Sequence, residues 1–161
     1  MKLLAKITTY TLAFIAFTLT ACTAYSEPAQ PLTNFTATVT CNSEEYTVVH
    51  SGSTLTTVTY CTPQQLNGLT YTYKNDILSV NYLSLSYTPS NNTVPATNNA
   101  TQLYEILKSV SGNNCYIMST SEDTATYSLP TAQMLCDLTT GRIKEIKPKS
   151  GNSTYLFSYK E

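Results

Sequence analysis

The sequence predicts an α+β chain that is mostly β: about ten short antiparallel strands and one main helix. Three observations carry this. Only 12% of the 161 residues are charged, and the polarity comes instead from 29 Thr and from Tyr, of which there are 13, with no Trp. β-branched and aromatic residues of this kind favour strands. The body is also built of short apolar/polar alternations separated by turn residues, and a single segment switches to helical period. With 42% hydrophobic residues the chain has enough apolar mass for one core. A formal net charge of −1 offers no electrostatic footprint for nucleic acid.

The N-terminus reads as an address. Lys2 and Lys6 precede an apolar run from Ile7 to Leu19, and Leu19-Thr20-Ala21-Cys22 ends it. A positive start, a short apolar stretch and small residues before a cleavage point make a secretory signal peptide, here residues 1–21. The run is too short for a good spanning helix. Its ending resembles the bacterial lipobox, which implies diacylglycerol transfer to the Cys22 thiol and cleavage before it. Two acyl chains suffice for stable anchoring. The membrane is therefore the first expected partner, and the extracytoplasmic face of the cell membrane the expected location. Without residues 1–21, Lys+Arg falls from 9 to 7 against 10 Asp+Glu, and the net charge becomes −3. Residues 22–33, polar and broken by Pro28 and Pro31, read as a tether, with the folded domain at 34–161.

The strands follow in order. Phe35, Ala37, Val39 and Cys41 alternate with Thr36, Thr38 and Thr40, a half-buried strand. Asn42-Ser43-Glu44 turns the chain into Tyr46–His50, and Ser51-Gly52-Ser53 into Thr54–Cys61. Pro63 to Gly68 breaks the pattern. Leu69–Tyr73 resumes it, Lys74-Asn75-Asp76 turns it, and Ile77–Tyr87 reads as one long strand bulged near Leu83. Residues 88–99 form a polar loop. In the helix, about Ala100 to Val110, Leu103, Tyr104, Leu107 and Val110 make one apolar stripe, capped by Asn98 or Asn99 and stopped at Ser111-Gly112. Cys115–Thr120, Thr124–Leu129, Ala132–Leu138, Ile143–Lys147 and Ser153–Tyr159 complete the strands, with no room for parallel crossovers.

The lipobox, the hairpins, Pro63-x-x-Leu66-x-Gly68-Leu69-x-Tyr71-x-Tyr73, the strand Leu78–Tyr82, one helix and a closing hairpin with Gly141-Arg142-Ile143 together resemble a family. The chain looks like the small lipoproteins of clostridia-type bacteria similar to the LolA/LolB and LppX/LprG lipoprotein fold. The resemblance spans about residues 34–159. It implies a sheet curved as an unclosed half-barrel around the helix, with an apolar cavity on its concave face. It also implies carriage of lipid or acylated cargo and no catalytic residues. Tyr71, Tyr73 and Tyr82 on neighbouring strands, with Leu103 and Leu107 of the helix, are then the candidate ligand-binding side chains.

Four cysteines remain after Cys22: Cys41, Cys61, Cys115 and Cys136. An even number outside the cytoplasm is a candidate disulfide framework. Spacing favours Cys41 with Cys61 and Cys115 with Cys136, each closure adding about 3 kcal/mol. Strands that flank a third lie roughly 9.5 Å apart, beyond the ~7 Å a disulfide spans. The chain must then bend over at the strand ends, pair Cys41 with Cys136, or keep free thiols.

No catalytic constellation stands out. His50 is the only imidazole, and neighbouring Ser51 points to the opposite sheet face. There is no C-x-x-C, P-loop, G-x-G-x-x-G or G-x-S-x-G. Glu44-Glu45 and Glu122-Asp123 fall in turns. The expectation is a non-enzyme without cofactor or metal. Its alternative role is a surface interaction or sensor lipoprotein acting through an exposed Tyr/Thr face. Arg142, Lys144, Lys147 and Lys149 gather four of the seven mature basic residues, either as a headgroup contact or as an ordinary exposed hairpin.

Overall fold

A computed structural model describes residues 27–89, 98–112 and 114–160. The signal peptide, Cys22 and most of the expected loop 88–99 lie outside the described residues. Eleven strands form one antiparallel sheet: β1 (Asn34–Cys41), β2 (Glu44–Ser51), β3 (Leu55–Thr62), β4 (Thr70–Lys74), β5 (Ile77–Tyr82), β6 (Leu85–Tyr87), β7 (Tyr116–Thr120), β8 (Thr124–Ser128), β9 (Ala132–Asp137), β10 (Ile143–Pro148) and β11 (Tyr155–Ser158). The helix α1 (Asn99–Ser111) lies between β6 and β7 in the chain. The mostly β, antiparallel, unclosed architecture is the one the sequence predicts.

The spatial order is β6-β5-β4-β3-β2-β1-β11-β10-β9-β8-β7. Two meanders, β1 to β6 and β7 to β11, are thus joined where β1 pairs with β11, Val39 opposite Phe157 and Cys41 opposite Tyr155. Period-2 alternation puts Ala37, Val39, Tyr46, Val48, Val58, Tyr60, Tyr71 and Tyr73 inward in the first meander. Ala125, Tyr127, Met134, Cys136, Ile143 and Ile146 do so in the second. The Thr residues of β1 and β3 fill most of the outer positions.

The sheet must curve. Asn98 accepts from Tyr60 of β3 and donates to Tyr71 of β4, while Asn99 bonds Glu44 of β2 and Tyr155 of β11. β4 and β11 are four places apart in the sheet, roughly 19 Å if it were flat. Two adjacent residues at the start of one helix reach both, so the sheet wraps around the helix end.

Two boundaries differ from the sequence reading. The expected long strand 77–87 is two strands, β5 and β6, because Leu83 at φ 53° and Ser84 make a tight turn. Backbone pairing also starts before Asn34. The Ala29 amide donates to the Leu138 carbonyl at 2.9 Å and the Leu32 amide to the Gly141 carbonyl at 2.9 Å. Pro28 and Pro31 are buried. Residues 28–33, part of the expected tether 22–33, are a docked strap.

Candidate functional site

Among the described residues, the concave face gathers apolar side chains and polar groups around helix α1. Helix α1 forms because Asn98 caps it, its side chain accepting from the Ala100 amide at 2.8 Å. Its stripe of Ala100, Leu103, Ile106, Leu107 and Val110 is buried against the sheet, and its nearest strands are β3 and β4.

Tyrosines of the strands hold the start of this helix by their hydroxyls. Tyr60 donates to Asn98 Oδ1 at 3.2 Å, and Asn98 Nδ2 donates to Tyr71 at 2.8 Å. Tyr73 donates to Thr101 at 3.2 Å. The Tyr155 hydroxyl is shared between the Asn99 carbonyl and Gln102 Oε1, at 3.1 and 2.8 Å. The half-buried Glu44 carboxylate accepts from Tyr46 and, at 2.7 Å, from Asn99. Burial pushes the Tyr60 phenol up to about 12, with Glu44 adding to it, and raises Tyr46 and Tyr155 well above the ordinary phenol. The Tyr46, Tyr60 and Tyr155 hydroxyls are therefore neutral donors throughout physiological pH.

The other end is held differently. His50 on β2 is 2% exposed and bonds Thr56 through Nδ1 and Ser111 of the helix through Nε2, both at 2.9 Å. Desolvation lowers its pKa to about 4, so the ring is neutral at pH 7. Midway, Tyr104 stacks on Tyr73 with centroids 3.5 Å apart and donates to Asp76, which also pairs with Lys108 at 2.6 Å.

Tyr71, Tyr73, Leu103 and Leu107, expected to line a ligand space, are brought together between sheet and helix, and there they pack as core. Tyr82 stands apart from them, donating to the Gln65 carbonyl at 2.7 Å. Open space lies instead on the helix's other flank. A cleft of about 290 Å³ is lined by Thr101, Gln102, Glu105, Ile106, Thr131 and Ser150. That is the lower edge of the size range of small-molecule sites.

The cysteines divide by face. Cys41 points inward with Ala37 and Val39, whereas Cys61 lies on the outer face beside Thr47. The expected Cys41–Cys61 bridge is therefore not brought together, because one thiol would have to pass through the sheet. Cys115 and Cys136 share one neighbourhood, and burial, then Cys115, pushes the Cys136 thiol up to about 12. All four are free thiols. The basic hairpin is also dispersed. Lys144 pairs with Asp137, Lys147 with Glu145, Lys149 donates to the Leu129 carbonyl, and Arg142 sits over Tyr159. Among the described residues no three His, Cys, Asp or Glu side chains gather at metal-binding range, and no helix is long and apolar enough to cross a membrane.

Sequence reasoning missed that His50 holds the helix, that Tyr155 and Glu44 both bond Asn99, and the strap. Parity on β2 was the available signal for the first, since His50 shares the inward register of Tyr46 and Val48.

No known family model matches the chain, and no curated protein does. Among solved structures the chain is similar to a LolA superfamily protein from Nitrosomonas europaea, with 9% sequence identity and a TM-score of 0.43. The match covers 82% of this chain and 89% of that one.

Proposed function

We propose that the chain is a non-enzymatic, membrane-anchored extracytoplasmic lipoprotein that takes an apolar or acylated ligand on its concave face, beneath or beside α1. The observation that carries this reading is the cover itself. An apolar concave face built by eight or more strands is covered near β3 and β4 by a single helix. Around its first turn, polar side-chain bonds hold that helix. Such bonds are each worth about 1 kcal/mol net and exchange readily with water. An apolar chain that replaced the helix stripe would keep the face buried, which is the exchange a carrier needs. The cleft beside Ile106 is the natural entry.

The anchor rests on the sequence, Leu19-Thr20-Ala21-Cys22 after a charged start and an apolar run. The absence of paired catalytic groups in the sequence and the neutral, hydrogen-bonded state of His50 support binding over catalysis.

Native mass spectrometry of the protein extracted from its own membrane tests the reading. The expected result is a mass addition of a lipid that denaturation releases, together with saturable uptake of a fluorescent long-chain fatty acid. No bound lipid and no uptake would overturn it. Growth with labelled palmitate should label the chain and Cys22→Ala should abolish the label; an unlabelled parent chain would refute the anchor.

A further inference from the structure

The second cover of the concave face is the chain's own N-terminal strap, and it is built into a prepared seat. Helix α1 leans on β3 and β4. Residues 28–33 instead cross the end of the β8–β10 region. The Tyr127 hydroxyl of β8 donates to the Ala29 carbonyl at 3.0 Å. The Ala29 amide donates to Leu138 and the Leu32 amide to Gly141, and beyond them the Thr33 carbonyl, accepting from Gly52 at 2.7 Å, leads into the β1–β2 ladder. Pro28 and Pro31, which have no amide hydrogen to satisfy, are buried there.

The seat is shaped for this segment. Gly141 sits at φ +69°, and a Cβ on it would stand 2.1 Å from the Gln30 carbonyl oxygen. Only glycine lets the strap backbone approach so closely. Asp137 fixes the turn that presents Gly141. Its carboxylate accepts from the amides of Thr139 and Thr140 and pairs with Lys144; the Thr140 amide first, then Lys144, holds the carboxyl below the usual carboxylate range.

The geometry points to strap 28–33 as an intramolecular plug that competes with an apolar ligand for the β8–β10 end of the concave face. This rests on the lipid-binding reading above and adds its regulation. Because 28–33 lies at the N-terminal end of the described chain, a pull from the residues before it acts directly on the plug. Releasing it frees inward apolar surface around Tyr127, and docking it reseals that surface. A ligand then pays the release of the plug before it binds, so its apparent affinity falls by the fraction of time the plug is in place.

The test compares three variants of the full mature chain with the parent. Gly141→Ala forces the Gln30 carbonyl away. Ala29→Pro deletes the amide that bonds Leu138 and leaves the hairpin untouched. Gly151→Ala is the control, because Gly151 has φ +90° with nothing within 4 Å, so it carries the same backbone strain without a strap contact. Amide hydrogen exchange at Leu32, whose amide bonds Gly141, reads strap release, and titration with a fluorescent long-chain fatty acid reads binding. The expected result is faster exchange and about tenfold tighter binding in the first two variants, with neither change in the control. Released strap amides with parental affinity would overturn the plug while leaving lipid binding in place. Strap amides that stay protected in both variants would also overturn it. If no variant and not the parent binds the probe, the lipid-binding reading itself falls.

Discussion

The two meanders bury the same concave face by opposite means. The first, β1 to β6, lines it with tyrosines, Tyr46, Tyr60, Tyr71 and Tyr73, and engages α1 through side-chain hydroxyls and one histidine. The second, β7 to β11, lines it largely with smaller or aliphatic groups, Ala125, Met134, Cys136, Ile143 and Ile146, beside Tyr127 and Tyr155; of these only Tyr155 bonds α1, and the meander engages strap 28–33 mostly through backbone amides and carbonyls. A cover held by side chains is specific and sensitive to their protonation. A cover held by backbone depends on shape, above all on the one glycine that admits it.

The largest effect should come from treating the meanders as separable. Leu107→Ala under the helix and Met134→Ala on β9 each remove a fully buried side chain, at about 2–5 kcal/mol. Because β1 and β11 pair directly, both losses should appear in one cooperative urea transition followed by circular dichroism. Two separated transitions would mean the halves fold independently and would break the comparison at its seam.

The next effect sharpens it, since only the first meander carries a buried titrating cover bond. His50 has its folded pKa lowered to about 4 by burial, against about 6.5 unfolded. The folded state resists the proton that the unfolded state accepts. Its contribution is therefore fully present above pH 6.5 and is lost as pH falls toward 4, up to about 3 kcal/mol in all. His50→Gln should flatten stability over that window in equilibrium unfolding, and a slope that survives the substitution would assign it elsewhere. Tyr155→Phe should cost about 1–3 kcal/mol with no change in the pH slope, because its hydroxyl bonds to Asn99 and Gln102 stay neutral.

The contrast also explains what the sequence made legible. Strand alternation and the single helical stripe are periodic signals, and they place β1–β4, β8–β11 and α1 within a few residues. Parity also carried the faces of Cys41 and Cys61, one in register with Val39 and the other with Thr57 and Thr59, although spacing alone pointed to a bridge. The strap was not legible because an extended segment with two prolines has the same pattern free or docked. Its seat is a glycine over a hundred residues away, and nothing local marks Gly141 as different from Gly151. The hydroxyl belt was partly legible, with the tyrosines visible but their partners at 98–102 fixed only by the curvature of the sheet.

The smallest effect concerns the free edges, where the meanders end unpaired. β7 leaves Tyr116, Ile117 and Met118 exposed, and the β5–β6 turn leaves Leu83 88% exposed at φ 53°. A leucine there carries both left-handed backbone strain and apolar exposure, whereas asparagine accepts that conformation at lower cost. Leu83→Asn should therefore raise stability by about 0.5–1 kcal/mol, seen as a small increase in the urea midpoint with an unchanged slope. The same substitution logic fails at Ile117, which lies in extended strand, so Ile117→Asn should gain nothing. An equal gain at both edges would trace the effect to lost apolar exposure alone. A gain confined to Leu83 locates the strain in the first meander, the half that also spends side-chain bonds to hold its cover.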